Sequence, residues 1–295
     1  MNATPHPAWP IVAAAATGVQ VGAAIVATRF VIGETTPAAL AFMRYAIGFL
    51  CLLPPLAMAS RTRFERGDVL PIALLGVAQF GALIALLNYG LQTVPAARAA
   101  LIFASFPLLT MVVAAALGQE RPTAAKALGV ALTIAGVALA LGETAGKKSI
   151  RAEAVGWSGE AAVLGAALVG AICSVLYRPY LRKYPALSVS AFAMLASVAV
   201  LALAAAGEGF FAAAPRFTPE GWLAIAFIGV SSGVGYFLWL WALQHGSPTR
   251  VTAFLALSPI TAAALGALAL AEPLTGQLLA GLACVVAGLL VAHRE

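Results

Sequence analysis

Gln20, Arg44, Gln79, Ser174, Tyr177, Ser232, Tyr236 and Trp239 each interrupt a long apolar run of this 295-residue chain. A polar group among apolar residues is costly unless it meets protein, ligand or water, so chemistry is most readable at these positions. Thr17, Gln20, Ala24 and Thr28 recur at i, i+3, i+7 and i+11 and share one helical face. The adjoining face carries Gly18 and Gly22, a stripe suited to close helix packing. A carboxamide both donates and accepts, which suits a zwitterionic ligand. The alternative for Gln20 is a plain interhelical hydrogen bond. Ser232, Tyr236, Trp239 and Leu243 share a second face, with Gln79, Leu83 and Leu86 set roughly opposite them by an internal repeat. Indole and phenol rings join a large apolar surface to a polar edge, so Tyr236 and Trp239 suit an apolar or aromatic side chain. Trp222 and Trp241 stand near run ends and fit an interfacial belt. Asn88 follows Gln79 by nine residues, half a turn out of phase, so a straight helix presents only one of them to a cavity. Gln79 is the candidate.

Gly170, Ser174 and Tyr177 form a further face, although Ser174 can equally bond back to its own helix. Pro107 and Pro259, beside Ser105 and Ser258, fall inside apolar runs. Each removes an intrahelical hydrogen bond and bends its helix. They are candidate hinges or gates, with a static kink as the alternative. Arg44 is the only charge well inside a run, where a guanidinium costs roughly 3 kcal/mol. It reads as a structural anchor reaching towards the interface, as a gating group, or as a partner for a substrate carboxylate. No Asp or Glu lies deep in a run: Asp68 is in a break, and Glu34, Glu120, Glu160 and Glu272 are near ends. A proton-coupled carrier of organic cations needs a buried carboxylate, and a carrier of phosphate esters needs several basic groups. The expected cargo is therefore a near-neutral solute.

Gly229-Val230-Ser231-Ser232-Gly233 matches G-x-S-x-G, the nucleophile-elbow pattern. That motif requires a strand-turn-helix setting and a His partner, but here it lies in an apolar run and His6, His245 and His293 are terminal or in breaks. A small-residue packing stripe is the better reading, and no enzyme is expected. No metal-binding or nucleotide-binding fingerprint appears. Cys51, Cys173 and Cys284 fall inside apolar runs without metal spacing or disulfide arithmetic. No cofactor and no metal are expected.

The elements that hold these residues follow from composition. The chain is 62% hydrophobic and 9% charged, with mean hydropathy +0.97, against roughly a quarter charged in soluble domains. Its apolar runs are long enough to cross about 30 Å of hydrocarbon, which takes roughly 20 helical residues. Helices satisfy every backbone group internally, and no alternating pattern favours a barrel. Ten spans are expected, near 9–31, 37–58, 69–91, 96–117, 123–142, 158–177, 187–206, 219–242, 249–270 and 275–292. Turn chemistry separates them, as in Gly33 to Pro37, Arg61 to Asp68, Thr93 to Pro95, Gly118 to Pro122, Arg178 to Pro185 and Glu272-Pro273. The first span is too long, and lacks the preceding Lys or Arg, for a cleaved signal peptide. The basic pI near 9.5 reflects loops at a cytoplasmic membrane face rather than nucleic acid.

Residues also recur 152 positions apart without a gap: Leu91-Gln92 with Leu243-Gln244, Arg98 with Arg250, Pro107 with Pro259, Glu120 with Glu272, Gly129 with Gly281, and Gly136 with Gly288. The unit is duplicated, with repeat 1 near 9–142, a linker near 143–157 and repeat 2 near 158–292. Five spans per copy is an odd number of crossings, so the second copy enters the membrane from the opposite side. If the N-terminus is cytoplasmic, 10 of the 17 Lys and Arg lie inside, 6 outside and Arg44 within a span, a modest bias for that orientation. Such inverted repeats characterise secondary transporters, which rock around a site near the midplane.

Ten spans in two fives, Phe42-Met43-Arg44-Tyr45 in the second, and Pro-containing fourth and ninth spans ending near Glu120 and Glu272-Pro273 resemble the EamA-type branch of the drug/metabolite transporter superfamily. Within it the chain is similar to the YddG type of aromatic amino-acid exporter. The resemblance covers nearly the whole chain and implies cytoplasmic termini, export, and a cavity lined by the first, third, fourth, sixth, eighth and ninth spans. It departs at Arg44, since the matching stretch Phe192-Ala193-Met194 has no Arg. The expectation is an all-α membrane protein, a five-plus-five inverted repeat around a central cavity. It would be a monomer in a bacterial inner membrane, exporting amino acids, aromatic or apolar ones preferred, by alternating access. The alternatives are a polyspecific exporter of drugs or cationic metabolites, and a membrane scaffold or sensor.

Overall fold

The computed structural model describes residues 8–59, 61–119, 123–146, 157–212, 216–246, 251–252 and 254–292. Among them no strand forms. Helix is the form in which an apolar backbone carries its own hydrogen bonds into lipid. In chain order the helices are α1 (Ala8–Val31), α2 (Pro37–Met58), α3 (Arg66–Leu91), α4 (Ala96–Ala116) and α5 (Ala124–Gly146). They continue as α6 (Ser158–Lys183), α7 (Ala186–Gly207), α8 (Pro219–His245), α9 (Leu257–Leu270) and α10 (Gly276–Ala292). Among the described residues seven are long and apolar enough to cross a membrane, namely α1 to α4 and α6 to α8. In the others the apolar stretch is shorter: Ala127–Gly136, Leu257–Leu270 and Gly276–Gly288.

Two breaks expected from turn residues sit elsewhere. α3 begins at Arg66, so the charged stretch supplies its first turn. After a single turn residue at Tyr177, the chain is helical again over Arg178–Lys183. Pro179 permits this because it lies in the first turn, where its missing N–H costs nothing. Two helices are irregular at mid-length. α3 is π-helical over Val77–Ala82, and α4 is interrupted at Ala104 and Ser105 between Ala96–Phe103 and Phe106–Ala116.

The packing of the two halves is interchangeable. α1 lies against α8 and α9, as α6 lies against α3 and α4. α2 packs on α8 as α7 packs on α3, and α5 and α10 pack on each other. In that last pair the recurring glycines meet crosswise: Gly136 faces the Gly281 carbonyl, and Gly288 faces the Gly129 carbonyl. A Cβ at either position would strike backbone, so the approach requires glycine. Gly18 and Gly22 serve likewise, seating α1 on the carbonyls of Phe254 and Ser258 around the start of α9.

Polar ties gather the helix ends into two sets. In one, carboxylates from one half cap helices of the other. Glu272 accepts from the Ala96 and Ala97 amides (2.9 and 3.2 Å). Glu208 accepts from Ala38 and Ala39 (3.1 and 3.2 Å). Glu34 accepts from the Thr218 amide and hydroxyl (both 2.9 Å). Orphan N–H groups at helix starts favour such partners. In the other set, Asp68 accepts from Lys183 (3.0 Å) and from the Tyr184 hydroxyl (2.7 Å), and Gln244 donates to the Leu181 carbonyl (3.0 Å). Between the two sets the outer surface is apolar: Leu70, Leu74, Leu203, Leu223 and Leu268 are all exposed. A surface of that kind is suited to lipid.

Candidate functional site

At the convergence of α1, α2, α3, α4 and α8 lies a cavity of about 90 Å³. Ligand sites for drug-sized molecules hold roughly 300–1,000 Å³, so the space between these helices is narrow. Gln79, Phe106 and Ser232 stand at the mid-lengths of α3, α4 and α8. Both helix irregularities fall at this level. Gln79 and Phe80 sit in the π turn, and Phe103 and Phe106 flank the break in α4. Irregular helix at mid-membrane depth is tolerated where it lines a cavity, and π turns recur at functional sites.

Two aromatic groups wall the cavity. Phe80 lies between Tyr45 and Tyr236, with ring centroids 4.7 and 4.1 Å away. Phe106 meets Phe103 at 5.4 Å and Trp239 at 6.0 Å, edge to face with the indole. Leu83, Ile84, Leu87 and Leu255 complete the apolar lining.

Arg44 reaches this cavity from α2 and is only 8% exposed. It does not run out to the membrane interface. Its Nε donates to Ser232 Oγ at 2.6 Å, and its guanidinium carbon lies 5.5 Å from the Tyr45 ring centroid. Ser232 passes the hydrogen bond on to the Ile228 carbonyl at 2.5 Å. The terminal guanidinium nitrogens have no protein acceptor among the described residues, and no Asp or Glu lines the cavity. A guanidinium carries five N–H donors and no acceptor. A buried charge without a counter-ion is costly, and the open donors face a space where an anion would satisfy them.

The other polar groups are neutral. Gln20 packs on Gly235 and donates to Ser231 Oγ at 3.3 Å. Gln79 Oε1 is buried without a hydrogen-bond partner, and the Tyr236 hydroxyl is buried beside that of Tyr177. Thr17 bonds back to the Ala13 carbonyl at 2.8 Å.

Of the residues singled out in the sequence, Gln20, Arg44, Gln79, Leu83, Ser232, Tyr236 and Trp239 meet at this cavity. Ser174 and Tyr177 do not line it. Ser174 bonds back to the Gly170 carbonyl at 2.8 Å, and Tyr177 is fully buried behind Tyr236, ring centroids 6.4 Å apart. The sixth span thus stands behind the wall and the second span takes its place. The cause is local: the side chains of Phe106 and Leu83 lie over Gly170 and separate α6 from the cavity. Asn88 turns away and donates to the Pro37 carbonyl at 3.0 Å.

Pro107 and Pro259 differ from simple mid-helix kinks. The break precedes each, at Ala104–Ser105 and at the 3₁₀ turn Phe254–Ala256, and the proline occupies the first turn of the helix that follows. The pyrrolidine ring clashes with the carbonyl four residues back, so the helix restarts around it. Arg250 and Glu120 lie outside the described residues. The G-x-S-x-G stretch is helical within α8, where Gly229 and Gly233 pack on Ile47 and Gly48. Among the described residues no group of His, Cys, Asp and Glu could hold a metal ion.

Tyr45, Phe80, Phe103 and Phe106 were not legible as site residues. Each is next to, or within two residues of, one that was: Arg44, Gln79, Ser105 and Pro107. An aromatic residue inside an apolar run offers no contrast, and its role appears only when helices converge.

The chain resembles known proteins over most of its length. The sequence profile of the EamA-like transporter family matches twice, over residues 8–142 and again over 157–293. A "Probable terminal-alkyne amino-acid exporter" of Streptantibioticus cattleyicolor is 31% identical over 229 residues, 77% of this chain and 74% of that protein. The "Uncharacterized transporter YcxC" of Bacillus subtilis is 30% identical over 228 residues, 75% of this chain and 71% of that one. A solved crystal structure shares the fold at a TM-score of 0.73 and 23% identity, covering 95% of both chains. With its apolar helices and its two matched halves, the chain is an integral multi-pass membrane protein and belongs to the EamA-like transporter family.

Proposed function

We propose that this transporter exports amino acids, with aromatic or apolar side chains preferred, by alternating access around the cavity between Arg44 and Trp239. The observation that carries the reading is the open guanidinium of Arg44 in an aromatic cavity. It offers a charge-assisted contact to an α-carboxylate, while Phe80, Tyr236, Phe106 and Trp239 accept the side chain. Gln79 Oε1 and Gln20 supply neutral partners for the amine. The relative whose printed name is an amino-acid exporter supports the same class. A lone cation in the wall repels cationic cargo, which weighs against the polyspecific cation exporter.

The mechanism follows from duplication. On this reading all ten helices cross the membrane, each half makes five crossings, and the halves are inverted. The interchangeable packing of α1–α8 and α6–α3 supports it. The broken starts at Pro107 and Pro259 are the hinges, because the missing hydrogen bonds leave those segments free to tilt. Arg61, Arg63, Arg66, Arg178, Arg182 and Lys183 cluster at the helix ends tied by Asp68. That end is read as cytoplasmic, in a bacterial inner membrane, with both termini on that side and the chain acting as a monomer. The molecule is one transporter domain, with repeats near 9–142 and 158–292 and a linker near 143–157.

Purified protein in vesicles loaded with a panel of labelled amino acids tests the function. Efflux above empty vesicles, greatest for aromatic members and independent of an imposed pH gradient, is expected. Efflux of organic cations alone would support the drug exporter instead, and no efflux of any solute would support a scaffold.

A further inference from the structure

We infer that the cavity recognises the carboxylate far more strongly than the amine, so that the protein also carries aromatic monocarboxylates lacking an amino group, 2-oxo acids above all. The inference deepens the amino-acid reading and rests on it for the assignment of the site.

The cavity is unequal at its two chemical ends. For an anion it offers a charged fork, the terminal nitrogens of Arg44, held by the Nε bond to Ser232. For a cation it offers no counter-charge, since among the described residues no Asp or Glu lines it. The acceptors within reach are neutral: the orphan Gln79 Oε1, the Tyr236 hydroxyl and Gln20, whose amide already packs on Gly235 and bonds Ser231. An ammonium group gives up strong hydration on entry, and neutral acceptors repay it only in part. The Arg44 charge opposes it further.

Replacing CH–NH₃⁺ by C=O removes that penalty and keeps the carbon skeleton. The carbonyl oxygen is then an acceptor, and the groups that would have received the ammonium can turn to serve it. A carboxamide and a phenol hydroxyl donate as readily as they accept. The aromatic walls formed by Phe80 with Tyr236 and by Phe106 with Trp239 are indifferent to the change. Charge balance also differs. An amino-acid zwitterion with Arg44 leaves the loaded site positive, whereas a 2-oxo acid with Arg44 leaves it neutral. Over a complete export cycle the charge of Arg44 returns to its start, so the zwitterion moves no net charge and the oxo acid moves one negative charge outward; an inside-negative membrane potential therefore drives net efflux of the oxo acid and not of the zwitterion.

The test uses the full-length protein in vesicles, with phenylalanine, phenylpyruvate and phenethylamine as probes. Unlabelled phenylpyruvate should inhibit labelled-phenylalanine counterflow within about tenfold of phenylalanine itself, and phenethylamine at least about a hundredfold more weakly. A valinomycin-set, inside-negative potential should speed efflux of labelled phenylpyruvate and leave phenylalanine efflux unchanged. Arg44→Gln should remove phenylpyruvate inhibition and Arg44→Lys should restore part of it. Should Arg44→Gln not fold, the wild-type competition order decides. Phenethylamine competing better than phenylpyruvate, or no phenylpyruvate efflux above empty vesicles, overturns the inference whatever phenylalanine does. Phenylalanine failing while phenylpyruvate is carried leaves it standing and overturns the amino-acid reading instead.

Discussion

Arg44 Nε and Ser232 Oγ lie 2.6 Å apart and join the two halves of the chain at the wall of the cavity. The serine is held by its own bond to the Ile228 carbonyl, so its second lone pair is aimed at the guanidinium. Nothing equivalent exists on the other side of the repeat, where Phe192-Ala193-Met194 matches the stretch around Arg44. Duplication therefore built the frame, and departure from it placed the charge.

Ser232→Ala removes the acceptor that orients Arg44 and leaves the helix intact. Apparent affinity for phenylalanine should fall about tenfold, in line with a hydrogen bond to a charged group worth roughly 1.5 kcal/mol. Ser231→Ala, whose hydroxyl bonds the Ile228 carbonyl and Gln20 but not Arg44, should have the smaller effect. Concentration dependence of counterflow separates the two, and equal effects would detach Ser232 from the site.

At Gly233 α8 approaches α2 so closely that a Cβ there would strike the Gly48 carbonyl. Gly233→Val should separate the helices one residue beyond the Arg44–Ser232 contact. The expected cost is about 1–3 kcal/mol of overpacking. Thermal unfolding in detergent should show a lowered midpoint, with transport lost in proportion. An unchanged midpoint contradicts the packing.

Ala271 holds φ at +51°, a left-handed conformation unfavourable for a residue with a Cβ. The turn aims Glu272 at the start of α4. Ala271→Gly should therefore stabilise the protein by about 0.5–1 kcal/mol. Glu272→Ala should destabilise it by about 0.5–2 kcal/mol, the usual cost of a lost helix cap. Both are read from unfolding midpoints, and the same sign for both would contradict this account.

Much of the frame was legible in the sequence because lipid makes apolar length and turn residues decisive. The run from Pro37 to Met58 and the start at Ala96 are where turn chemistry puts them. The re-entry at Arg178 was not legible, since a proline in a first turn looks the same as one in a loop. The π turn at Val77–Ala82 carries no compositional mark. For the cavity, periodicity found Gln20 with Thr17 and Tyr236 with Trp239, because polar residues stand out against leucine. It also grouped Ser174 and Tyr177 on one face, without showing that Phe106 and Leu83 would cover it. Which face of a helix meets a cavity depends on side chains from other helices.

Trp239 is 4% exposed and packs on Phe106, whereas Trp222 is 47% exposed and packs on Phe217 at the end of α8. Trp239→Ala should impair phenylalanine transport at least about tenfold, the order expected when a buried aromatic wall is removed. Trp222→Ala at equal expression should leave it near wild type. The reverse order would move the cavity elsewhere.

The central claim is that Arg44 in this cavity holds the substrate of an amino-acid exporter. Its most direct test is counterflow of labelled phenylalanine in vesicles containing wild type or Arg44→Gln, matched for amount and for unfolding midpoint. The account predicts saturable counterflow with wild type and a loss of about tenfold to a hundredfold in apparent affinity with Arg44→Gln, as removal of a charged hydrogen-bonding partner implies. Equal counterflow by the two proteins, or none above empty vesicles with wild type, would contradict it.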